Sequence, residues 1–458
     1  MNDELITDRQ PELGPFSAAA DLTVGYGPLL DPLAKIGDIA AAAGIRRVDM
    51  VAWRDMDHPE AGGSELHAAS IAERWAAAGV EVRLTASRAD GSARREGRDG
   101  YRVERPAGRY GIFPAVAAEL AAERVAGRVT EQLAERIAER AGARRVRSRW
   151  PERLARRAGG GPRSAGGRPG TADATVEIWN GMPFFSPLWA PRPRLVFLHH
   201  VHDRMWDLVL PSGLAAAGRL LESRVAPPVY RRTPVVTLSE SSRRAILELL
   251  RFDPSRVHVV PPGVDDSFCP GPSRHDRPLV VAVGRLVPYK RFDRLIEVLV
   301  LLRRSQPDME AVIAGEGQER GALEELIRRH GAEAWISLPG RIDDTALLDL
   351  YQRAWVLAST SAYEGWGLTI SEAAACATPA VVSPIAGHTD AVENGVTGYL
   401  AAPGPEMERR IGELLRDSRL RARMQREARR RAAALTWDRT ALETMRLLAR
   451  QVRAPGPR

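Results

Sequence analysis

Two successive series of short apolar segments, each followed by a stretch with helical periodicity, constrain this fold more than any other feature of the chain. The second series runs LVVAVG, EAVIAG, AWISLPG, AWVLAST and PAVVSP between positions 279 and 384, with helical segments predicted from Phe292, Arg320, Thr345 and Thr369. The first runs VDMVAW, VEVRLTAS, ATVEIWN, RLVFLHH, PVVTLS and VHVVP, with a helix predicted over Ser64 to Ala78 that Gly79 ends. Strands that are apolar on both faces and alternate with helices belong to parallel sheets covered on both sides. The fold class expected is therefore α/β, with two Rossmann-like domains facing a central cleft. The outer end of the strand C-termini is the default ligand position in such domains.

At 458 residues the chain is long enough for two ordinary domains, and 44% hydrophobic content supplies their cores. Residues 1–45 lack clear periodicity and read as a partly disordered extension. Residues 46–268 form the first domain, 272–436 the second, and 437–458 a final helix and tail. The loop from Asp266 to Asp276, rich in Pro, Ser and Asp, reads as the linker. Residues 115–141 place Val116, Leu120, Val125, Val129, Leu133 and Ile137 about a turn apart, as an amphipathic helix does. Residues 139–168 carry ten arginines against two glutamates and run into the end of GGGPRSAGGRPG at residue 170. This basic insertion, about 139–170, reads as a solvated linker, with an anionic membrane surface as the rival partner.

No apolar run reaches membrane-spanning length, and the first residues lack a signal peptide's basic flank and apolar core. Cys269 and Cys376 have no CxxC partner, which speaks against a disulfide framework or a zinc site and for a reducing cytoplasm. The net charge of +8 suits anionic lipid, nucleotide or nucleic acid and does not choose among them.

Among 66 Lys and Arg residues only Lys35 and Lys290 are lysines. Lys290 stands in GRLVPYK, six residues after Gly284 and five after Arg285, directly behind a predicted strand. A compact ammonium retained where arginine has replaced almost every other lysine points to a point-charge role, and two cations there suit a diphosphate. Gly284 allows close backbone approach. In YEGWGLTISEAAACATPAVVS, Glu364 and Glu372 are separated by seven residues. Gly365 and Gly367 turn the chain into a helix predicted to start near Thr369, just past Leu368, where free N–H groups favour phosphate. Glu372 is placed on the first turn, facing ribose hydroxyls, and Glu364 on the loop.

In HPEAGGSE, Gly62 and Gly63 precede a helix and admit either a phosphate or an ordinary tight turn. Asp55-Met56-Asp57 has the form of a metal-binding DxD but lies in a charged loop, so no metal is expected. His199, His200 and His202 cluster at the end of RLVFL. Their spacing lacks the acidic or Cys partner usual for zinc, and one buried histidine with two structural neighbours is the preferred reading.

These residues resemble the family-4 glycosyltransferases, retaining enzymes of the GT-B fold, over roughly residues 46–440. GRLVPYK, the E-x7-E of EGWGLTISE and PPGVD carry the resemblance in the second domain, and WRDMDHPEAGGSE and LHHVHDRMW carry a looser one in the first. The resemblance implies that Arg285 and Lys290 hold the donor diphosphate, that Glu372 binds the ribose and that Glu364 lies by the transferred sugar. It also implies that Gly63 belongs to a glycine loop, that His199 is the active-site histidine with His200 next, and that Arg341 lies near the base. Ala377 stands where the family usually has Gly, and Pro262 where it usually has Asn. The C-terminal LTWDRTALETMRLLARQ resembles the family's last helix, which crosses back to the first domain.

The expected activity is retaining, metal-independent transfer of a hexose from a UDP- or GDP-sugar to a glycan or lipid-linked hydroxyl acceptor. Bacterial envelope glycan or glycolipid synthesis is the expected setting, in the cytoplasm or peripherally on the inner membrane face. No cofactor and no nucleic-acid partner are expected. The alternatives are a nucleotide-sugar epimerase, a phosphorylase, or a non-catalytic polyanion- or membrane-binding protein.

Overall fold

The computed structural model describes residues 31–118, 172–190 and 193–453. The Arg/Gly-rich insertion lies outside the described residues. So does all of the expected amphipathic helix beyond residue 118, up to which the chain is helical from 112.

The chain forms two compact units. The first comprises residues 31–263 together with the final helix, and the second comprises 264–436. In the first, strands β1 (Arg47–Val51), β2 (Glu81–Thr85), β3 (Arg95–Arg98), β4 (Tyr101–Glu104), β5 (Ala174–Trp179), β6 (Arg194–Leu198), β7 (Val235–Thr237) and β8 (Val257–Val259) form one sheet. Its order is β3-β4-β2-β1-β5-β6-β7-β8, parallel throughout except for the β3–β4 hairpin. The hairpin has no counterpart in the sequence reading, because its segments REGR and YRVE are too short and polar to register as apolar runs.

In the second unit, β9 (Leu279–Val283), β10 (Glu310–Ala314), β11 (Ile336–Gly340), β12 (Val356–Ser359), β13 (Ala380–Val382) and β14 (Gly398–Leu400) form a parallel sheet ordered β11-β10-β9-β12-β13-β14. The helix Phe292–Arg303 lays Leu295, Ile296, Val298, Leu299 and Leu302 against it, the spacing of one helical face. The chain leaves β9 in one direction towards β10 and returns on β9's other side as β12. That reversal is a topological switch point, and it sets the loops after β9 and β12 side by side at the sheet's C-terminal edge. The first sheet reverses in the same way between β1 and β5.

The final helix, Trp437–Arg453, belongs to the first unit, as expected of a helix that crosses back. It buries Leu442, Met445 and Leu448, accepts a hydrogen bond at Ala441 O from the indole of the fully buried Trp75 (3.0 Å), and pairs Asp438 with Arg74 (2.8 Å). Its other neighbour is a correction to the sequence reading. Part of the N-terminal stretch read as an extension is a helix, Pro32–Ala42, capped by Asp31, packed on the final helix and burying Ile36 and Ala40. With two buried side chains over three turns, its apolar stripe is too sparse to stand out by periodicity alone.

The helix Leu368–Ala375 ends in a Schellman motif. Thr378 N–H reaches Ala373 O (2.8 Å) and Ala377 N–H reaches Ala374 O (2.9 Å). This turn requires a left-handed residue, and Ala377 occupies it at φ 57°. A Cβ in that region costs about 1–2 kcal/mol, partly offset by the lower entropy of an unfolded Ala relative to Gly. Ala377→Gly is therefore expected to stabilise the second unit by about 0.5–1 kcal/mol in chemical denaturation. An unchanged or lowered midpoint would contradict this account.

Candidate functional site

The loop after β9 rests on the loop after β10. A Cβ added to Gly315 would lie 1.8 Å from Gly284 O, and one added to Gly317 would lie 2.2 Å from Leu286 O. Only glycine permits this contact, and hydrogen bonds from Leu286 N to Glu316 O (2.8 Å) and from Glu319 N to Leu286 O (3.0 Å) lock it. The sequence reading missed Gly315 and Gly317. Their signal was the GEG directly after EAVIA, and they bear no side chain that advertises chemistry. The supported loop ends in a single turn, Pro288–Lys290. Arg285 donates to the Tyr289 hydroxyl (2.5 Å).

Lys290 Nζ donates to Glu364 Oε1, and Ser361 Oγ donates to the same oxygen (3.0 Å). The backbone joins the two loops as well, through Ala362 N to Tyr289 O (2.8 Å) and Thr360 Oγ1 to Arg291 O (2.7 Å). The ion pair is largely enclosed, with side chains 18% and 16% exposed. Burial disfavours both charges, yet each outweighs that cost for the other. Lys290 is held above its ordinary range, and Glu364 below its own by Lys290 and, to a lesser degree, His388. His388, buried and pushed down to about 4 by that burial, is bonded through Nδ1 to Ser383 O (3.0 Å). Behind the pair, Gly387 at φ 82° lies so close that a Cβ would stand 2.8 Å from Glu364 O. Ser361, Gly387 and His388 also escaped the sequence reading, because their roles depend on which loops the sheet brings together.

The helix after Glu364 starts at Leu368, one residue earlier than predicted, with Gly367 as its left-handed N-cap at φ 98°. The N–H groups of Leu368 and Thr369 open its first turn. Glu372 is consequently the fifth helical residue and lies on the second turn, not the first. It accepts a hydrogen bond from the fully buried Tyr351 (3.0 Å). Burial pushes its carboxyl up to about 7, against the opposing effect of the Tyr351 bond. Arg341 is exposed at the bend beyond β11, on the same sheet edge as Gly284 and Gly315.

In the first unit the helix Gly63–Ala77 starts at the second glycine of the pair. The Gly62 N–H is already taken by Glu65 Oε2 (2.8 Å), which also accepts from Ser64 (2.9 Å), while Glu65 Oε1 pairs with buried Arg54 (3.2 Å). Asp55 and Asp57 face Arg105, each 2.5 Å from it, so the DxD is spent on a buried guanidinium. Among the described residues no group of three His, Cys, Asp or Glu side chains could hold a metal.

The histidine cluster differs from the reading of one buried histidine with two structural neighbours. His199 and His202 are both buried, and His200 stacks on His202 with centroids 4.8 Å apart. His199 pairs with His67, a histidine on the helix Gly63–Ala77 that the sequence reading passed over (Nε2 to Nδ1, 3.2 Å). Position 67 is the fifth residue of an apolar helix, and nothing in its neighbourhood along the chain marks it.

Residues 265–431 match the family described as Glycosyl transferases group 1. The chain is similar to the D-inositol 3-phosphate glycosyltransferase of Jonesia denitrificans, 30% identical over an alignment of 280 residues that covers 56% of this chain and 66% of that protein. It is also similar to the glycogen synthase of Mycobacterium tuberculosis, 33% identical over 233 residues, covering 49% of this chain and 56% of that one. The matches thus span less than two thirds of these relatives' lengths. Among solved structures, sucrose-phosphate synthase from Thermosynechococcus elongatus superposes with a TM-score of 0.65 over 88% of this chain and 98% of that one, at 19% identity. WaaG, a glycosyltransferase involved in lipopolysaccharide biosynthesis, does so with a TM-score of 0.62 over 88% and 99%, at 16% identity. These likenesses show the fold, the two Rossmann-like sheets of GT-B glycosyltransferases.

The Glu372 carboxyl has a folded-state pKa raised from its ordinary 4.5 to about 7. Over that window the folded protein binds the proton more tightly than the unfolded chain, so this group's contribution to stability falls as pH rises from about 4.5 to about 7. Glu372→Gln removes the titration and leaves an acceptor for Tyr351. The variant is expected to gain stability over the wild type at pH 8 and not at pH 4.5, read from urea midpoints. A pH-independent difference would show that burial does not penalise this carboxylate.

Proposed function

We propose that the whole chain is a retaining, metal-independent glycosyltransferase that moves a hexose from a nucleoside-diphosphate sugar to a hydroxyl acceptor. The observation that carries this reading is the constellation at the β9–β12 switch point. Lys290, with Arg285 on the same loop, faces a held carboxylate, and the N-terminus of the helix Leu368–Ala375 follows on the next loop. Arg285, Lys290 and the N–H groups of Leu368 and Thr369 supply positive potential for a departing diphosphate, whose charge grows in the transition state. Glu364, kept ionised by Lys290, stabilises the positive charge that develops on the transferred sugar. Glu372 takes the ribose hydroxyls, and Arg341 lies where a base is reached. A donor diphosphate competes with Glu364 for Lys290, so donor binding redistributes an existing ion pair and does not have to create a cationic site.

Two observations favour transfer over the alternatives. A phosphorylase needs a lysine for pyridoxal phosphate. Lys35 is exposed on the first helix, and Lys290 is ion-paired with Glu364 in the proposed diphosphate site. The match of residues 265–431 to a glycosyltransferase family likewise supports a sugar-nucleotide donor. The acceptor proposed is a glycan or lipid-linked hydroxyl in the cytoplasm, with the basic segment near 139–170 directed at anionic lipid. No helix of the described residues is long and apolar enough to cross a membrane.

UDP-, GDP- and ADP-sugars tested for thermal stabilisation identify the donor, because a ligand that binds only the folded state raises the midpoint by mass action. Lys290→Ala is expected to weaken both the donor and the free nucleoside diphosphate by about ten- to a hundredfold, the worth of one charged hydrogen bond of roughly 1.5–3 kcal/mol. Unchanged nucleotide affinity in Lys290→Ala and Arg285→Ala would remove the diphosphate assignment.

Asp55 and Asp57 are engaged by Arg105, and the proposed donor site is built from cations and backbone N–H groups. Turnover is therefore expected to survive EDTA. Loss of activity on chelation that Mn²⁺ restores would contradict the metal-independent reading.

A further inference from the structure

His67 and His199 meet in the core of the first unit, on the helix Gly63–Ala77 and at the end of β6. His67 is fully buried and His199 is 6% exposed. One contact joins the rings, His199 Nε2 to His67 Nδ1 at 3.2 Å. The other nitrogen of each ring, His67 Nε2 and His199 Nδ1, is buried without a hydrogen-bond partner. Burial keeps both rings neutral, with His67 pushed down to about 3 and His199 well below its ordinary value. A neutral imidazole has one N–H and one bare nitrogen, so a single shared proton determines what His199 Nδ1 can do.

Two arrangements satisfy the contact. If His67 donates from Nδ1, its own Nε2 is a bare lone pair and His199 presents an N–H at Nδ1. If His199 donates from Nε2, the N–H falls on His67 Nε2 and His199 presents a lone pair at Nδ1. The surroundings of His67 choose between them. Its ring packs against Phe197 (centroids 4.6 Å apart, planes at 88°) and Trp437 (5.7 Å). A bare Nε2 there finds no N–H or O–H donor, whereas an N–H can be accepted weakly by the π systems packed around the ring. The second arrangement therefore leaves less unsatisfied.

We propose that His67 is a positioning residue. It accepts the His199 Nε2–H and so holds His199 in the tautomer whose Nδ1 lone pair is free to accept a hydrogen bond from a substrate hydroxyl. This rests on the proposed glycosyl-transfer reading only in naming the substrate. The tautomer itself is a property of the protein without ligand. A buried acceptor with no partner is costly to maintain, so the lone pair is poised for a donor. The same pairing belongs to His199, whereas the His200 ring stacks on His202.

The test uses the full chain labelled with ¹⁵N-histidine, with His199 assigned through His199→Gln, and long-range ¹H–¹⁵N correlation without ligand. The wild type is expected to show His199 as a single tautomer protonated at Nε2. His67→Phe, which keeps an aromatic ring but removes the acceptor, is expected to mix or reverse the tautomers. His67→Asn, whose amide oxygen takes the place of Nδ1, is expected to restore them. Turnover should follow the tautomer. We expect a fall in kcat of about tenfold or more in His67→Phe, recovery in His67→Asn, and donor KM changed by less than about threefold.

A wild-type His199 protonated at Nδ1, or one evenly mixed, overturns the proposal without any variant and holds even if His67→Phe does not fold. A folded His67→Phe with wild-type tautomer or wild-type kcat overturns it as well. Failure of the glycosyl-transfer reading has a separate signature: no sugar nucleotide stabilises the wild type, while the spectra of the free protein still report on His67.

Discussion

The pairing of Lys290 with Glu364 is the interaction on which the second unit's site depends. Two charges that are more than four-fifths enclosed are expensive to keep, and each is tolerable only because the other lies in contact. That contact requires the loops after β9 and β12 to lie together to within a hydrogen bond. The parallel sheet does most of this by reversing direction between the two strands. The remainder is steric. Gly315 and Gly317 let the β10 loop press against the Arg285 loop, and Gly387 lets the chain before His388 press against Glu364 from behind. A site rich in charge is thus positioned largely by residues that have no side chain.

The first unit reaches the same end by different means. Its irregular segments are pinned by buried carboxylates. Glu177, fully buried on β5, accepts from Phe184 N (2.7 Å), Ser186 N (3.2 Å) and the Tyr230 hydroxyl (2.7 Å), which fixes the turn after that strand. Glu222 accepts from the backbone of His202 (3.0 Å) and Asp203 (3.1 Å) and from the Trp206 indole (3.1 Å), which fixes the chain just beyond His199. Burial raises both carboxyls, Glu222 to about 7. Their hydrogen bonds offset that cost, and in exchange the loops that bear the histidines are held without regular structure.

Between residues 54 and 105 several charges are paired with one another. Arg105, 1% exposed, binds Asp55, Asp57 and Glu96, and Arg54 binds Glu60 and Glu65. The Asp55-Met56-Asp57 motif, which looks in sequence like a metal site, is therefore part of a network around two guanidiniums. In the second unit Arg274 plays an apolar core's part with polar atoms. It donates to the carbonyls of Gln352 (2.8 Å), Ala354 (2.9 Å) and Cys376 (3.1 Å), satisfying the ends of two helices at once. The segment read as a linker is tied down by this residue to the helix that carries Glu372.

The sequence alone determined the fold class and the charged half of the second unit's site. Alternating apolar runs and helical stretches admit few architectures besides parallel sheets, and Arg285, Lys290, Glu364 and Glu372 announce themselves by residue type and spacing. Local patterns also came close to the helix starts, missing at Leu368 by one residue, enough to move Glu372 to the second turn. Tertiary structure decided everything that depends on contacts between distant segments. It alone placed His67 on His199 across 132 positions, gave Asp55 and Asp57 to Arg105, and set Tyr351 against Glu372. It also made Gly315 and Gly387 indispensable, because a glycine's importance lies in the backbone that approaches it. Sequence records what each residue can do, and only the packing of strands and loops fixes which neighbour it does it with.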